Sequence, residues 1–153
     1  MTKIIRHACV EDVPYIHALI GCYAEVDRML FRSLADIYEN LQVFQVAEHN
    51  SRVIGCCALK IIWSDLAEIQ SLAVDKAYFG KGYGKALLEE CGRQAGGLGI
   101  HKLFTLTLEP VFFEKAGFRQ VDRKTLPMKV WSDCAQCPKQ DHCDEIAMIK
   151  EIK

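Results

Sequence analysis

The stretch Leu66–Ala95, LAEIQSLAVDKAYFGKGYGKALLEECGRQA, constrains this chain more than any other. An apolar run from Leu66 to Val74 passes into a segment holding Gly80, Gly82 and Gly84. It then becomes a helical pattern with apolar positions Leu87, Leu88, Cys91 and Ala95. The order is strand, glycine loop, helix. Glycine admits positive φ and lets a ligand approach the backbone, while the first N–H groups of a helix are unsatisfied and carry partial positive charge. A corner built this way binds phosphate. Spacing narrows the kind of loop. A dinucleotide fingerprint would need glycine at position 85, which is Lys85, and a Walker loop would need Gly-Lys-Ser/Thr, which is absent.

A chain of 153 residues, half of them apolar, is long enough for one well-packed core and too short for two ordinary domains. One domain over residues 1–153 is expected, with 123–153 as its Cys-containing C-terminal segment. No apolar run approaches the ~18 residues of a membrane span, and Met1 to Arg6 lacks the apolar core of a signal peptide. A soluble, cytoplasmic protein follows, with no membrane partner. A net charge of −1 without a basic block leaves no footprint for nucleic acid. Eight cysteines raise the question of disulfides. Cys56 and Cys57, however, are adjacent in a strand-like run and Cys91 lies on a helix, so reduced thiols are expected.

In chain order, Lys3 to His7 reads as a strand, and Glu11-Asp12-Val13-Pro14 opens a helix with the stripe Val13, Ile16, Leu19, Ile20 and Tyr23. A second helix starts at Ser33, with Asp36 in a weak form of the capping box. Strands are expected at Gln42 to Glu48 and Val53 to Ile62, joined by the turn-rich His49-Asn50-Ser51. After the glycine-loop helix come a strand from Lys102 to Leu108 and a helix opened by Pro110 and closed at Gly117. Strand candidates at Phe118 to Asp122 and Asp144 to Ile152 end the chain.

The run Val74-Asp-Lys-Ala-Tyr-Phe-Gly-Lys-Gly-Tyr-Gly-Lys-Ala-Leu-Leu88 resembles motif A of the GNAT superfamily of N-acetyltransferases, whose loop receives the pyrophosphate of acetyl-coenzyme A. Phe112-Phe113-Glu114-Lys115-Ala116-Gly117-Phe118 is similar to the signature of the last helix and strand of that fold. The resemblance implies an α/β GNAT fold, a mixed central sheet flanked by helices, over nearly all of the chain. Four further segments are similar to the acetyltransferase domain of bacterial N-acetylglutamate synthases: Met29 to Asp36, Asp65 to Val74, Leu106-Thr107 before Pro110, and Leu126 to Trp131. Short members of that family lack the amino-acid-kinase domain of the longer ones. The implied reaction moves the acetyl group of acetyl-coenzyme A to the α-amino group of L-glutamate, the first step of arginine biosynthesis. Another amino acid or small amine as acceptor, or a non-catalytic acyl-coenzyme A sensor, are the alternatives. Such folds often dimerise, and a homodimer is compatible with the family.

The chemistry calls for particular groups. An ammonium cannot attack a thioester, and holding an amine neutral costs roughly 1.4 kcal/mol per pKa unit above ambient. A carboxylate base is therefore expected, and Glu68 is the candidate. The alternative is an edge glutamate meeting solvent or lysine. The family places backbone groups of Leu72, Ala73 and Val74 against the pantetheine arm. It places the pyrophosphate on Gly80, Lys81, Gly82, Tyr83, Gly84 and Lys85. Two positions depart from the wider family: Phe79 stands where Gln or Arg is usual, and Phe113 where a tyrosine often protonates the leaving thiolate. Phe112 and Phe113 then pack in the core or against the cofactor, and water or Tyr83 supplies the proton, packing being the favoured reading of Tyr83. A dicarboxylate acceptor needs cations. Arg32 is the first choice by family match, with a solvated surface arginine as the alternative; Lys129 and Lys139, like Lys60 and His142, are weaker choices that solvation would equally explain. The tail Cys134-Ala-Gln-Cys137-Pro-Lys-Gln-Asp-His142-Cys143 holds ligand types for zinc but lacks a second tight pair. A metal knot, a redox pair and a reduced loop closing over the acceptor are the three readings, the last favoured. Similar Cys-rich tails occur in the short synthases. His7, His17, His49 and His101 are expected to be structural or solvated.

Overall fold

The computed structural model describes residues 3–26, 29–126 and 145–152. Its elements run β1 (Ile4–His7), α1 (Val13–Glu25), α2 (Leu34–Glu39), β2 (Phe44–His49), β3 (Arg52–Trp63), β4 (Leu66–Val74), α3 (Tyr83–Gly97), β5 (Lys102–Thr107), α4 (Pro110–Lys115), β6 (Arg119–Gln120) and β7 (Ile146–Glu151). The order is the expected one, and β4 has the bounds read from its apolar run. Two boundaries differ. Leu41–Val43 forms a 3₁₀ turn, so β2 starts at Phe44 rather than Gln42. The strand expected over Phe118 to Asp122 is only two residues long, because Asp122 caps another 3₁₀ turn by accepting from the Lys124 N–H.

Local chemistry explains the element ends. Ser33 caps α2, its hydroxyl accepting from the Asp36 N–H at 3.1 Å. The Asp36 carboxylate turns to Arg32 and Asn40, which is why the capping box is weak. Asn50 and Ser51 both take positive φ, 51° and 64°, giving the two-residue turn that β-hairpin twist favours.

Seven strands form one mixed sheet in the order β1-β2-β3-β4-β5-β7-β6, antiparallel except where β4 meets β5. Its two faces are covered differently. Leu87, Leu88, Cys91 and Ala95 of α3, with Phe113 of α4, pack on Cys57, Leu59 and Ile69. Val13, Ile16 and Ile20 of α1, with Ile37 of α2, pack on Cys56, Ala58 and Ala73. β3 is thus buried on both faces, which accounts for its unbroken apolar run from Val53 to Leu59.

The five described cysteines, Cys9, Cys22, Cys56, Cys57 and Cys91, are free thiols. Burial pushes the Cys56 thiol up to about 12. At the N-terminal corner, Arg6 binds Asp12 and Glu48, tying β1 to the start of α1 and to β2. Among the described residues no helix is long and apolar enough to cross a membrane.

Candidate active site

A cleft of about 1420 Å³ opens in the middle of the sheet. Pockets for one small ligand run ~300–1,000 Å³, so this one has room for two ligands end to end. It exists because β4 and β5 pair only at Ala67↔Leu103 and Glu68↔Phe104 and then part. From that point β4 follows β3 and β5 follows β7, and the wedge between them is the cleft. Near its apex the Thr105 hydroxyl donates to the Ile69 carbonyl at 3.0 Å.

A bulge turns β4 further away. Cys56 faces Ala73 and Ala58 faces Gln70, so Ser71 and Leu72 together oppose Cys57. Ser71 adopts φ 53°, a left-handed conformation that costs a non-glycine residue on the order of 1 kcal/mol. Local bonds hold it there. Arg32 Nη1 donates to Ser71 Oγ at 3.3 Å and the Cys56 thiol donates to the Ser71 carbonyl at 3.4 Å.

The glycine loop closes one end of the cleft. Gly80 and Gly82 take φ 74° and 86°, and Gly82 caps α3. The N–H groups of Tyr83, Gly84 and Lys85 precede the first intrahelical bond, from Ala86 N–H to the Gly82 carbonyl at 3.0 Å. Gly84 is small for a packing reason: a Cβ there would stand 3.1 Å from Phe112 Cζ. The Lys81 ammonium lies 5.5 Å from the centre of the Tyr78 ring, and the exposed Lys85 pairs with Glu89 at 4.0 Å.

At the other end sits Arg32, whose side chain is 14% exposed. Its Nε donates to Asp36 Oδ2 at 2.7 Å and its Nη1 to Gln70 Oε1 at 3.4 Å, while the guanidinium lies 5.0 Å from the centre of the Phe44 ring. Gln70 in turn donates from Nε2 to Glu68 Oε1 at 2.8 Å. Glu68 and Arg32, 36 positions apart, are therefore joined through one amide.

Of the residues expected from sequence, Arg32, Glu68, Leu72, Val74, Gly80, Gly82, Tyr83, Gly84, Lys85 and Phe113 all line the cleft. Ala73 is buried on the α1 side of the sheet, and Lys81 lies on the loop beside Tyr78. Lys60 stands across the β3–β4 ladder from Glu68. Lys129, Lys139, Cys134, Cys137, His142 and Cys143 fall outside the described residues. The ring of Tyr83 is buried and its hydroxyl lies 2.9 Å from His49 Nδ1. The His49 ring also packs on Tyr78 at 5.1 Å. Phe113 is buried edge-to-face with Phe112 and Phe118.

Sequence reasoning did not single out Tyr23, Gln70, Ser71, Glu109 or Arg123 as lining residues. Tyr23 carried a signal, a polar tip on an apolar helix stripe. Its hydroxyl donates to the Val74 carbonyl at 2.7 Å, and burial pushes the phenol up, so it stays neutral.

Comparison with known proteins agrees with this geometry. Residues 40–120 match the acetyltransferase (GNAT) domain family. An N-acetyltransferase of Chlorobaculum tepidum is 38% identical over 148 residues, covering 97% of this chain and 96% of the relative. The amino-acid acetyltransferase of Mycobacterium tuberculosis is 37% identical over 133 residues, 85% of this chain and 76% of that one. Among solved structures, N-acetylglutamate synthase of Neisseria gonorrhoeae, complexed with coenzyme A and N-acetyl-glutamate, superimposes with a TM-score of 0.92 at 29% identity. All of this chain is covered there, against 36% of that longer protein. A sheet split beside a glycine loop, a matching domain and relatives aligned along almost the whole chain lead to one conclusion: the chain belongs to the GNAT acetyltransferase family and is an acetyl-coenzyme A-dependent N-acetyltransferase.

Proposed function

We propose that the protein acetylates the α-amino group of an amino acid, L-glutamate foremost, in the cytoplasm, as a step of arginine biosynthesis. The observation that carries this reading is the parting of β4 from β5 directly after Glu68, with Arg32 at one end of the cleft and the glycine loop at the other. Support comes also from the N-acetylglutamate synthase that shares the fold and was solved with N-acetyl-glutamate.

In this reading the N–H groups of Tyr83, Gly84 and Lys85 at the start of α3 hold the diphosphate. The pantetheine arm runs along the edge of β4 that β5 leaves, against the backbone of Leu72, Ala73 and Val74. Arg32 takes an acceptor carboxylate, with Lys129 and Lys139 as further cations. Glu68 removes a proton from the acceptor ammonium, directly or through water. The amine nitrogen then bonds to the thioester carbon, backbone N–H groups stabilise the oxyanion, and the carbon–sulfur bond breaks as the nitrogen gives up its remaining extra proton to water. The Tyr83 ring is buried with its hydroxyl 2.9 Å from His49 Nδ1 and Phe113 has no proton to give, so we assign protonation of the thiolate to water; a reference pKa of ~8.5 makes the thiolate a tolerable leaving group.

The test is release of coenzyme A thiol with a panel of amines: L-glutamate, L-glutamine, other amino acids and a polyamine. Turnover is expected with L-glutamate, and Glu68→Gln should cut kcat by about 10²–10⁴. Turnover confined to the polyamine would reassign the acceptor. Binding of acetyl-coenzyme A without turnover on any amine would make the protein a sensor.

A further inference from the structure

Gln70 has no role in the steps above, yet it touches both Glu68, the base of those steps, and Arg32, their acceptor-binding arginine. Its Nε2 donates to Glu68 Oε1 at 2.8 Å, and its Oε1 accepts from Arg32 Nη1 at 3.4 Å. Chemistry fixes which way the amide points. A guanidinium only donates and a carboxylate only accepts, so oxygen must face Arg32 and nitrogen must face Glu68.

The far side of Arg32 is anchored as well. Asp36 accepts from Nε at 2.7 Å and from Nη2 at 3.4 Å, and Asn40 Nδ2 donates to Asp36 Oδ1 at 2.8 Å. A continuous line of hydrogen bonds, Asn40, Asp36, Arg32, Gln70, Glu68, thus runs from α2 to β4 at the acceptor end of the cleft. Strand geometry makes the last link available. Residues two apart share a face, and the bulge that would break this alternation begins only at Ser71.

We propose that Gln70 is the positioning residue for Glu68. It fixes the rotamer of the carboxylate and favours its ionised form, and it couples the base to the arginine that receives the acceptor. Glu68 stands across the β3–β4 ladder from Lys60, and its side-chain torsions allow several rotamers, few of which aim an oxygen at the amine. A hydrogen bond donated to the carboxylate also favours the charged state that a base requires. The Arg32 link at 3.4 Å is long, so a carboxylate arriving at Nη1 competes with Gln70 Oε1 there and changes what holds the amide. The inference rests on Glu68 being the base.

The experiment compares wild type, Gln70→Leu, Gln70→Glu, Glu68→Gln and the double variant Glu68→Gln/Gln70→Leu. Steady-state constants are measured across pH, with acetyl-coenzyme A affinity by titration calorimetry. Gln70→Leu is expected to lower kcat about tenfold and to move the acid limb of the kcat/KM profile up by roughly half to one pH unit, the effect of one lost hydrogen bond to a carboxylate. Acetyl-coenzyme A affinity should stay within about twofold. Gln70→Glu keeps the bond to Arg32 but sets a second carboxylate beside Glu68, and should move the limb further. In the double variant the Gln70 change should add no further loss. Wild-type kcat and an unmoved limb in Gln70→Leu, with Glu68→Gln inactive, would overturn the positioning role, and so would losses that multiply in the double variant. A Glu68→Gln enzyme at full rate is a different failure, since it removes the base itself. If Gln70→Leu does not fold, Gln70→Asn, one methylene short of Glu68, gives the same comparison.

Discussion

Arg6 and Arg32 each hold an aspartate a few residues along the chain, yet their surroundings suit opposite tasks. Arg6 is closed in by anions at short range. Nη1 and Nη2 reach Asp12 at 2.7 and 2.9 Å, and Nε and Nη2 reach Glu48 at 2.9 and 2.8 Å. Among the described residues Arg32 has one carboxylate, Asp36, and meets Gln70 and Ser71 through neutral oxygens at 3.4 and 3.3 Å. Two anions against one cation leave Arg6 with nothing to offer a ligand. Arg32 can exchange a weak neutral partner for a carboxylate at little cost. The difference lies in the charge and distance of partners rather than in the arginine.

Arg6→Ala should have the larger thermodynamic effect, about 3 kcal/mol of stability, because Asp12 is left nearly buried without its cation. Thermal melts should show it while kcat and both KM values hold; a kinetic change would blur the contrast. The pH dependence has a definite sign. Burial works to raise the Asp12 carboxyl, but hydrogen bonds from Arg6 and Cys9 prevail and hold it below the ordinary carboxylate value. Its stabilisation is therefore fully present above pH ~4 and is lost as pH falls through the lower folded value. Asp12→Asn should flatten that acid-side decline in melting temperature.

Arg32→Ala comes next, with the acceptor KM raised about 30- to 100-fold, worth about 2–3 kcal/mol, and the acetyl-coenzyme A KM unchanged. Arg32→Lys should recover little, since the fork is lost. An unchanged acceptor KM would move carboxylate recognition elsewhere. The smallest effect belongs to Tyr83→Phe, about 1 kcal/mol of stability from the lost contact with His49 and no change in kcat. A hundredfold fall in kcat would instead restore Tyr83 as the proton donor.

The frame of the molecule was legible because it rests on periodicity and punctuation. The β4 run, the α1 stripe, the Ser33 cap and the Gly80–Gly84 loop are local signals, and each reappears in the structure. What the sequence hid depends on three-dimensional neighbours. Ser71 sits in a left-handed bulge without being glycine, so no residue type advertised it. The contacts of Gln70 with Arg32 and of His49 with Tyr83 span 38 and 34 positions. Gln42 and Val43, expected to open a strand, belong instead to a 3₁₀ turn following Asn40.

One close approach has an evolutionary corollary. With a hypothetical methyl at position 84 only 3.1 Å from the tip of Phe112, the phosphate corner and the helix opened by Pro110 are fitted to each other across the chain. Lineages that trim the ring at 112 should carry alanine at 84 more readily than those that keep it, where the ring must first give by a few tenths of an ångström. The two stretches by which this chain is recognised would then drift as a pair.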